Sequence, residues 1–484
     1  MVSIEAKEEW NKRLAQSKNE RLRCTALVAF NAATNHLKQL DLRKINALTE
    51  KMSSRDVEKI AGASGEAGVF VNSPEKFVEA LAACMKRGRL MRFPASREML
   101  EWIADFFGEP DELQLGGWVG AVASQLAALG AEVVVYARPF SRKQAALFDS
   151  KVKSVSAKGK KLSFISARKA GREGDATREN WVLRFKAGDS LRLGASFVTA
   201  PRSCSLAVLE SEGELPFFDA DVEPALEVLG KRADVALFSG FHALSETKES
   251  QKRLALVLKH LKQLKKSKRV LLHWEYNPFE SPALEKRFLV ECKGVFDSID
   301  VNEPELVYLL ELLGCDRQAK EIEKQENAFN IFEGARRVLE KLGLRRVQVH
   351  SVGFHTIVLA KPYPVAPEKV RDACLFASVV ATTKALSGAR IVTLADLKAS
   401  PVSSVSDTGL NQLGVLDSFI AQELMKTMKV KFSSKMRREY FTNGIIEAKN
   451  CFVLVVPAPI ATAAKTTAGL GSVFSAAFVA KERS

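Results

Sequence analysis

Val295-Phe-Asp-Ser-Ile-Asp-Val-Asn302-Glu303-Pro304-Glu305-Leu306 changes character within twelve residues. The apolar run at 295–299 suits a buried strand, and 303–313 has helical spacing. Asn302 can accept from the first free N–H groups of the helix, Pro304 fits its first turn, and Glu303 and Glu305 favour its positive end. The same alternation extends on both sides. Strands are expected at 235–238, 270–274 and 347–351, and helices at 251–266, 282–291 and 335–342. Alternating strands and helices at this spacing predict an α/β fold with a doubly wound, mostly parallel sheet. Ligands of such sheets bind beyond the carboxyl ends of the strands, so the residues that follow each strand matter most.

The N-terminal half is less regular. Residues 4–23 read as a helix and 24–30 as a buried strand, ending in Asn31-Ala-Ala-Thr-Asn35-His36. Helices are expected at 74–87, 96–107 and 118–129, the last after Gly116-Gly117, with a strand at 133–136. Residues 151–198 instead alternate polar and apolar positions in short runs, the pattern of an antiparallel sheet. We therefore assign 1–36, 116–150 and 226–484 to a large α/β domain, and 37–115 and 151–225 to a smaller β-rich lid or inserted unit.

Composition sets outer limits. Of 484 residues, 46% are apolar and 27% charged, enough for a packed core. The net charge of +15 admits nucleic acid, an acidic surface or an anionic substrate such as a nucleotide. The basic residues are dispersed without a block of five or six, so nucleic acid is not expected as a partner. The lysines of 252–268 read as the solvated face of a helix. Seven cysteines without a C-x-x-C pair suit a reducing cytosol, and a cytoplasmic location is expected. The longest apolar stretch, 451–464, is too short for a bilayer and holds Pro457 and Pro459, so no membrane association is expected.

Three junctions carry candidate chemistry. In His273-Trp274-Glu275 the outer two side chains share one side of a strand. They suit either a hydrated Mg²⁺ or a hydrogen-bonded pair beneath the sheet. Asn302 and Glu305, one turn apart, suit either a metal-bound phosphate or an ordinary helix start. Gly469-Leu470-Gly471-Ser472 suits either a phosphate cradle at a helix N-terminus or a plain tight turn.

Taken in order, His-x-Glu, Asn-x-x-Glu and Gly-Leu-Gly-Ser resemble the ADP-dependent sugar kinases, the archaeal-type glucokinase and phosphofructokinase family. Val71-Asn-Ser-Pro-Glu75, Arg172-Glu-Gly-Asp175 with Asn180-Trp181, Ala200-Pro201-Arg202 and Ser239-Gly-Phe-His-Ala-Leu244 are similar to further motifs of that family. The resemblance runs from about residue 5 to the C-terminus. It implies a ribokinase-like fold, Mg²⁺ and ADP as cofactors, and transfer of the β-phosphoryl group to a sugar or phosphosugar hydroxyl with release of AMP. It further implies His273, Glu275 and Glu305 on the metal side. Asn302, Arg202, His350, His355 and Val456 would meet the nucleotide. Asn31, Asn35, Gly116, Gly117, Trp118 and Asn180 would meet the acceptor, and Gly469, Gly471 and Ser472 would form the catalytic turn.

Four positions depart from the family pattern. Asn35 stands for an aspartate that holds sugar hydroxyls, Trp118 for a glutamine, Ser205 for an arginine directed at the phosphates, and Ser472 for the aspartate that acts as base. No aspartate follows Asp417. A general base contributes about 10²–10⁴-fold, and a serine hydroxyl has no usable pKa for the task. The expectation is a sugar-kinase homologue with weak, altered or lost catalysis. The alternatives are a non-catalytic nucleotide-binding protein and a basic nucleic-acid-binding protein on the same fold.

Overall fold

The strand and helix at 295–313 form one unit of an eleven-stranded sheet. The structure, a computed structural model, describes residues 3–62, 70–88, 90–210, 216–244, 246–267, 269–279, 281–427 and 433–484. Spatially the strands run Ile445–Glu447, Cys451–Pro457, Phe354–Ala360, Arg346–Ser351, Ser298–Val301, Leu271–Glu275, Val235–Phe238, Thr25–Phe30, Glu132–Ala137, Lys153–Lys158 and Lys161–Ser166. Pairing is parallel from Arg346–Ser351 through Lys153–Lys158 and antiparallel at both margins. The central strands are buried on both faces, as parallel strands flanked by helices must be. The apolar helix Leu470–Glu482 packs against both Gly117–Ala128 and Pro367–Ser387 beside this sheet. Among the described residues, no helix is long and apolar enough to cross a membrane.

A second, five-stranded sheet in the order Met91–Ala95, Cys204–Glu210, Glu179–Phe185, Ala33–Gln39, Glu112–Gly116 has its own core around Phe77, Phe93, Trp181 and Phe185. The chain is therefore an α/β protein with a large, mostly parallel sheet and a smaller β-rich unit. It returns from that unit to the large sheet at Gly116-Gly117. Gly117 has φ +71°, and a Cβ there would stand 2.6 Å from the Asn31 carbonyl oxygen, so the return needs glycine.

Two sequence boundaries move. Lys153–Lys158 and Lys161–Ser166 form a hairpin on the margin of the large sheet, whereas 151–225 as a whole was expected in the lid. An edge hairpin alternates polar and apolar residues in either sheet, and only the distant pairing of Val134 with Lys153 decides between them. Residues 33–36 belong to the strand Ala33–Gln39 of the smaller sheet. The strand expected at 295–299 forms at Ser298–Val301 instead. Val295 belongs to the turn that follows the helix Pro282–Glu291, where its amide donates to the Cys292 carbonyl at 2.8 Å.

The last helix is anchored from within. Arg346 and Glu482 are both fully buried and form an ion pair, and the Tyr363 hydroxyl donates to Glu482 Oε1 at 2.6 Å. Removing one partner leaves a buried charge uncompensated, a cost of about 3–5 kcal/mol. Glu482→Leu is expected to lower unfolding stability by that amount in urea titrations, and Arg346→Leu/Glu482→Leu to recover much of the loss.

Candidate active site

The carboxyl ends of three adjacent parallel strands bring together Glu275, Asp300 and His350. Glu275 and Asp300 are register partners on neighbouring strands, so their side chains lie side by side. Both are buried, and Glu275 Oε2 and Asp300 Oδ1 have no hydrogen-bond partner among the described residues. Burial and, next, Asp300 push the Glu275 carboxyl up to about 8. Burial likewise raises Glu305, to about 7. His350 Nδ1 lies 3.0 Å from Asp300 Oδ2. Burial disfavours the charged ring, but Asp300, Glu305 and Glu275 outweigh it and hold His350 protonated up to about 9.

Asn302 and Glu305 complete each other as a capping box. The Glu305 amide donates to Asn302 Oδ1 and the Asn302 amide to Glu305 Oε2, both at 2.9 Å. The cap leaves Glu305 Oε1 and the Asn302 side-chain nitrogen uncommitted. The glycine turn opens with Gly469 at φ +68° and starts the helix Leu470–Glu482. A Cβ on Gly471 would meet His350 Nε2 at 3.0 Å, so the imidazole lies directly against the turn. The Ser475 and Ser472 hydroxyls of this helix favour the charged form of Glu275, without offsetting its burial.

Several expected site residues sit elsewhere. His273 is fully buried, with Nδ1 2.7 Å from Ser298 Oγ and Nε2 2.9 Å from Ser475 Oγ. Neither ring nitrogen is left for a metal, because the imidazole bridges the strand to the C-terminal helix. His355 also faces the core, with Nε2 3.1 Å from Ser378 Oγ and its ring stacked on Phe474 at 4.1 Å. Burial lowers its pKa to about 3. Val456 pairs with His355 in the sheet, and its side chain is fully buried. Arg202 is exposed against Gly88. The register Leu209–Asn180 and Cys204–Phe185 puts it beyond the far end of the lid strand, roughly 25 Å from Glu210 at about 3.3 Å per residue.

Several residues expected to meet the acceptor gather where the two sheets meet. Asn180 Nδ2 donates to Asn35 Oδ1 at 3.1 Å, and Asn35 lies against Gly116. Trp118, half-buried, begins the helix after Gly116-Gly117, and its indole N–H has no partner among the described residues. Asn31 Oδ1 accepts from Arg178 Nη1 at 3.1 Å, and both line a cavity with Phe30, Ala32, Arg138 and Gly240. Arg178, Asp300 and Ser475 were not singled out from sequence. The Ser298, Asp300, Asn302 alternation could have found Asp300, and Arg178 stands two residues before Asn180.

The orphaned carboxylate oxygens suit a divalent cation. No three of the described His, Cys, Asp and Glu residues are close enough to ligate one directly, so the fit is to a hydrated ion. Phosphate-bound Mg²⁺ of that kind keeps several of its waters.

A parallel sheet with a glycine turn and a carboxylate cluster at its carboxyl edge, facing a β-rich unit, defines a ribokinase-like kinase scaffold. The sequence profile of the ADP-specific phosphofructokinase/glucokinase conserved region matches residues 25–480, and the chain belongs to that family. It is 26% identical over 472 residues to the ADP-specific phosphofructokinase of Methanosarcina acetivorans, covering 94% of this chain and 92% of that one. It is 25% identical over 462 residues to the ADP-dependent glucose/glucosamine kinase of Pyrococcus abyssi, covering 94% of each. Two solved structures align with TM-score 0.78 at 25% identity. One is the last common ancestor of ADP-dependent phosphofructokinases from Methanosarcinales, covering 99% of this chain and 98% of that one. The other is an ADP-dependent kinase in complex with fructose-6-phosphate and ADPβS, covering 100% and 99%.

The raised Glu275 pKa has a thermodynamic consequence. Between about 4.5 and 8 the unfolded chain releases this proton while the folded one keeps it, so its contribution to stability falls as pH rises through that window. Glu275→Gln removes the term. The melting temperature of the variant minus that of wild type, measured in EDTA, is expected to grow from pH 4.5 to 8 and then level. A pH-independent difference would contradict the assignment.

Proposed function

We propose that this chain binds Mg-ADP at the Glu275–Asp300–Glu305 edge and transfers its β-phosphoryl group to a hydroxyl of a sugar or phosphosugar, with low turnover. The observation that carries this is the buried carboxylate cluster, incompletely neutralised, directly beside the glycine turn. Glu275 and Glu305 would hold the cation through water, and the cation would supply positive charge to the phosphate oxygens. The N–H groups of Gly469 to Ser472 would face the β-phosphate, as helix starts do for anions. The His350 ring adds positive charge on the same side. The Asn31, Asn35 and Asn180 amides supply neutral hydrogen bonds to acceptor hydroxyls. Fructose-6-phosphate, the ligand named for the aligned kinase complex, is the first acceptor to test.

Ser472 sets the rate. At the position of the family's base it offers only a hydroxyl, so the acceptor proton has no basic side chain there to receive it. Phosphoryl transfer depends mainly on positioning and charge stabilisation, which leaves slow turnover available.

Mg-ADP is expected to raise the melting temperature by preferential binding to the folded state. Absence of a shift at millimolar ADP with metal would reject the nucleotide site. Ser472→Asp is expected to increase AMP release with fructose-6-phosphate or glucose by about 10²–10⁴-fold. AMP release equal to the blank in both proteins, across an acceptor panel, would reject the kinase reading.

A further inference from the structure

The amides where the two sheets meet have a direction, because groups that can only donate anchor them. The Glu210 backbone N–H donates to Asn180 Oδ1 at 3.2 Å, which turns the nitrogen of that amide toward Asn35. Asn180 Nδ2 donates to Asn35 Oδ1 at 3.1 Å. Asn35 therefore spends its oxygen on Asn180 and keeps its own N–H groups free. In the same way the Arg178 guanidinium, which only donates, gives Nη1 to Asn31 Oδ1 at 3.1 Å and leaves Asn31 Nδ2 free. Neither nitrogen is a closed-off orphan, so both reach open space. The Trp118 indole N–H, two residues after Gly116 in the chain, is a third donor without a partner among the described residues.

The nearby carboxylates do not oppose these donors. Asn35 and Asn180 are register partners and share one face of the smaller sheet. Asn35 leans over Gly116, toward the return to the large sheet, where a Cβ would overlap its amide. Gln114, paired with Asn35 on the other side, leans the opposite way and donates from Nε2 to Glu112 Oε1 at 2.7 Å. Glu179 and Glu210 alternate to the other face of the sheet, the face of Trp181. There Glu210 Oε2 accepts from the Glu179 amide at 2.8 Å. Asp219 is engaged by both Arg138, at 2.8 Å, and Arg172, at 3.0 Å.

Donors alone favour a particular chemistry in what they meet. A sugar hydroxyl brings a hydrogen of its own, which finds no acceptor on these three groups, whereas a carboxylate only accepts. Two guanidinium groups, Arg138 and Arg178, line the cavity beside Asn31 and add positive potential. Both forks are already committed. Arg178 Nη2 donates to the Glu210 carbonyl at 3.0 Å, and Arg138 gives Nε to Asp219 and Nη1 to the Ala137 carbonyl at 2.9 Å. A phosphate is best met by an open, bidentate guanidinium. Neutral N–H groups backed by engaged arginines suit a singly charged carboxylate instead.

We infer that the free N–H groups of Asn31, Asn35 and Trp118 take a carboxylate of the acceptor, so that the acceptor is a sugar acid. Asn31 and Asn35 are then the residues that set its specificity. For the place where the acceptor binds, the inference rests on the kinase reading above.

Titration calorimetry of the full chain with D-gluconate, D-glucuronate, D-glucose and fructose-6-phosphate, without nucleotide, tests it. At least one of the two acids is expected to bind about 10-fold or more tightly than glucose, the scale of one charge-assisted hydrogen bond. Asn35→Asp keeps an oxygen for Asn180 but puts a charged oxygen in place of the free N–H, and is expected to erase that preference. Glucose or fructose-6-phosphate bound as tightly as both acids, no binding of either acid, or the same preference in Asn35→Asp would overturn the inference. The wild-type comparison stands whether or not the variant folds. Because binding is read without turnover, the two readings fail separately. A protein that prefers the acids but releases no AMP with any acceptor would overturn the kinase reading alone. AMP release with glucose and no preference for the acids would overturn this inference alone.

Discussion

Two carboxylates on adjacent parallel strands, Glu275 and Asp300, are buried side by side in register. Like charges so placed repel, and burial strengthens the repulsion by removing water. The surrounding structure manages that tension. His350 is held charged against Asp300. An arrangement that neutralises the cluster only in part has a standing affinity for positive charge. The remainder of the site is arranged around that deficit, with the glycine turn next to His350 and the capped helix of Asn302 and Glu305 beside it.

The acceptor side follows different rules. Its polar groups are mostly amides, paired with one another and with Arg178 where the two sheets meet. Amides make directional hydrogen bonds but hold no fixed charge, so this side offers specificity more than electrostatic drive. Trp118 follows Gly116-Gly117 and brings an indole N–H without a partner among the described residues. In the proposed reading, Trp118 and Ser472 stand where the acceptor hydroxyl and the phosphate would meet, and the buried carboxylates stand on the nucleotide side.

Much of this architecture was legible in the sequence because it is local. The alternation of strand and helix after residue 234, the cap at Asn302 and the glycine turn each depend on neighbours within a few residues. What was not legible depends on register and long-range pairing. The side-by-side placement of Glu275 and Asp300 requires the strand register. The hairpin at 153–166 looks alike in either sheet until Lys153 pairs with Val134. His273 read as a metal candidate because Ser298 and Ser475, which occupy both its nitrogens, are 25 and 202 residues away. Arg202 lies near the site in motif order but far from it along an extended strand.

The central claim is that the carboxylate edge and the glycine turn form one Mg-nucleotide site. A crystal structure of the protein grown with Mg²⁺ and ADPβS tests it most directly. The account predicts the β-phosphate on the Gly469–Ser472 turn, beside His350, with a hydrated cation between it and Glu275 and Glu305. Nucleotide bound away from the turn, or a β-phosphate there with no cation on the Glu275 side, would contradict it.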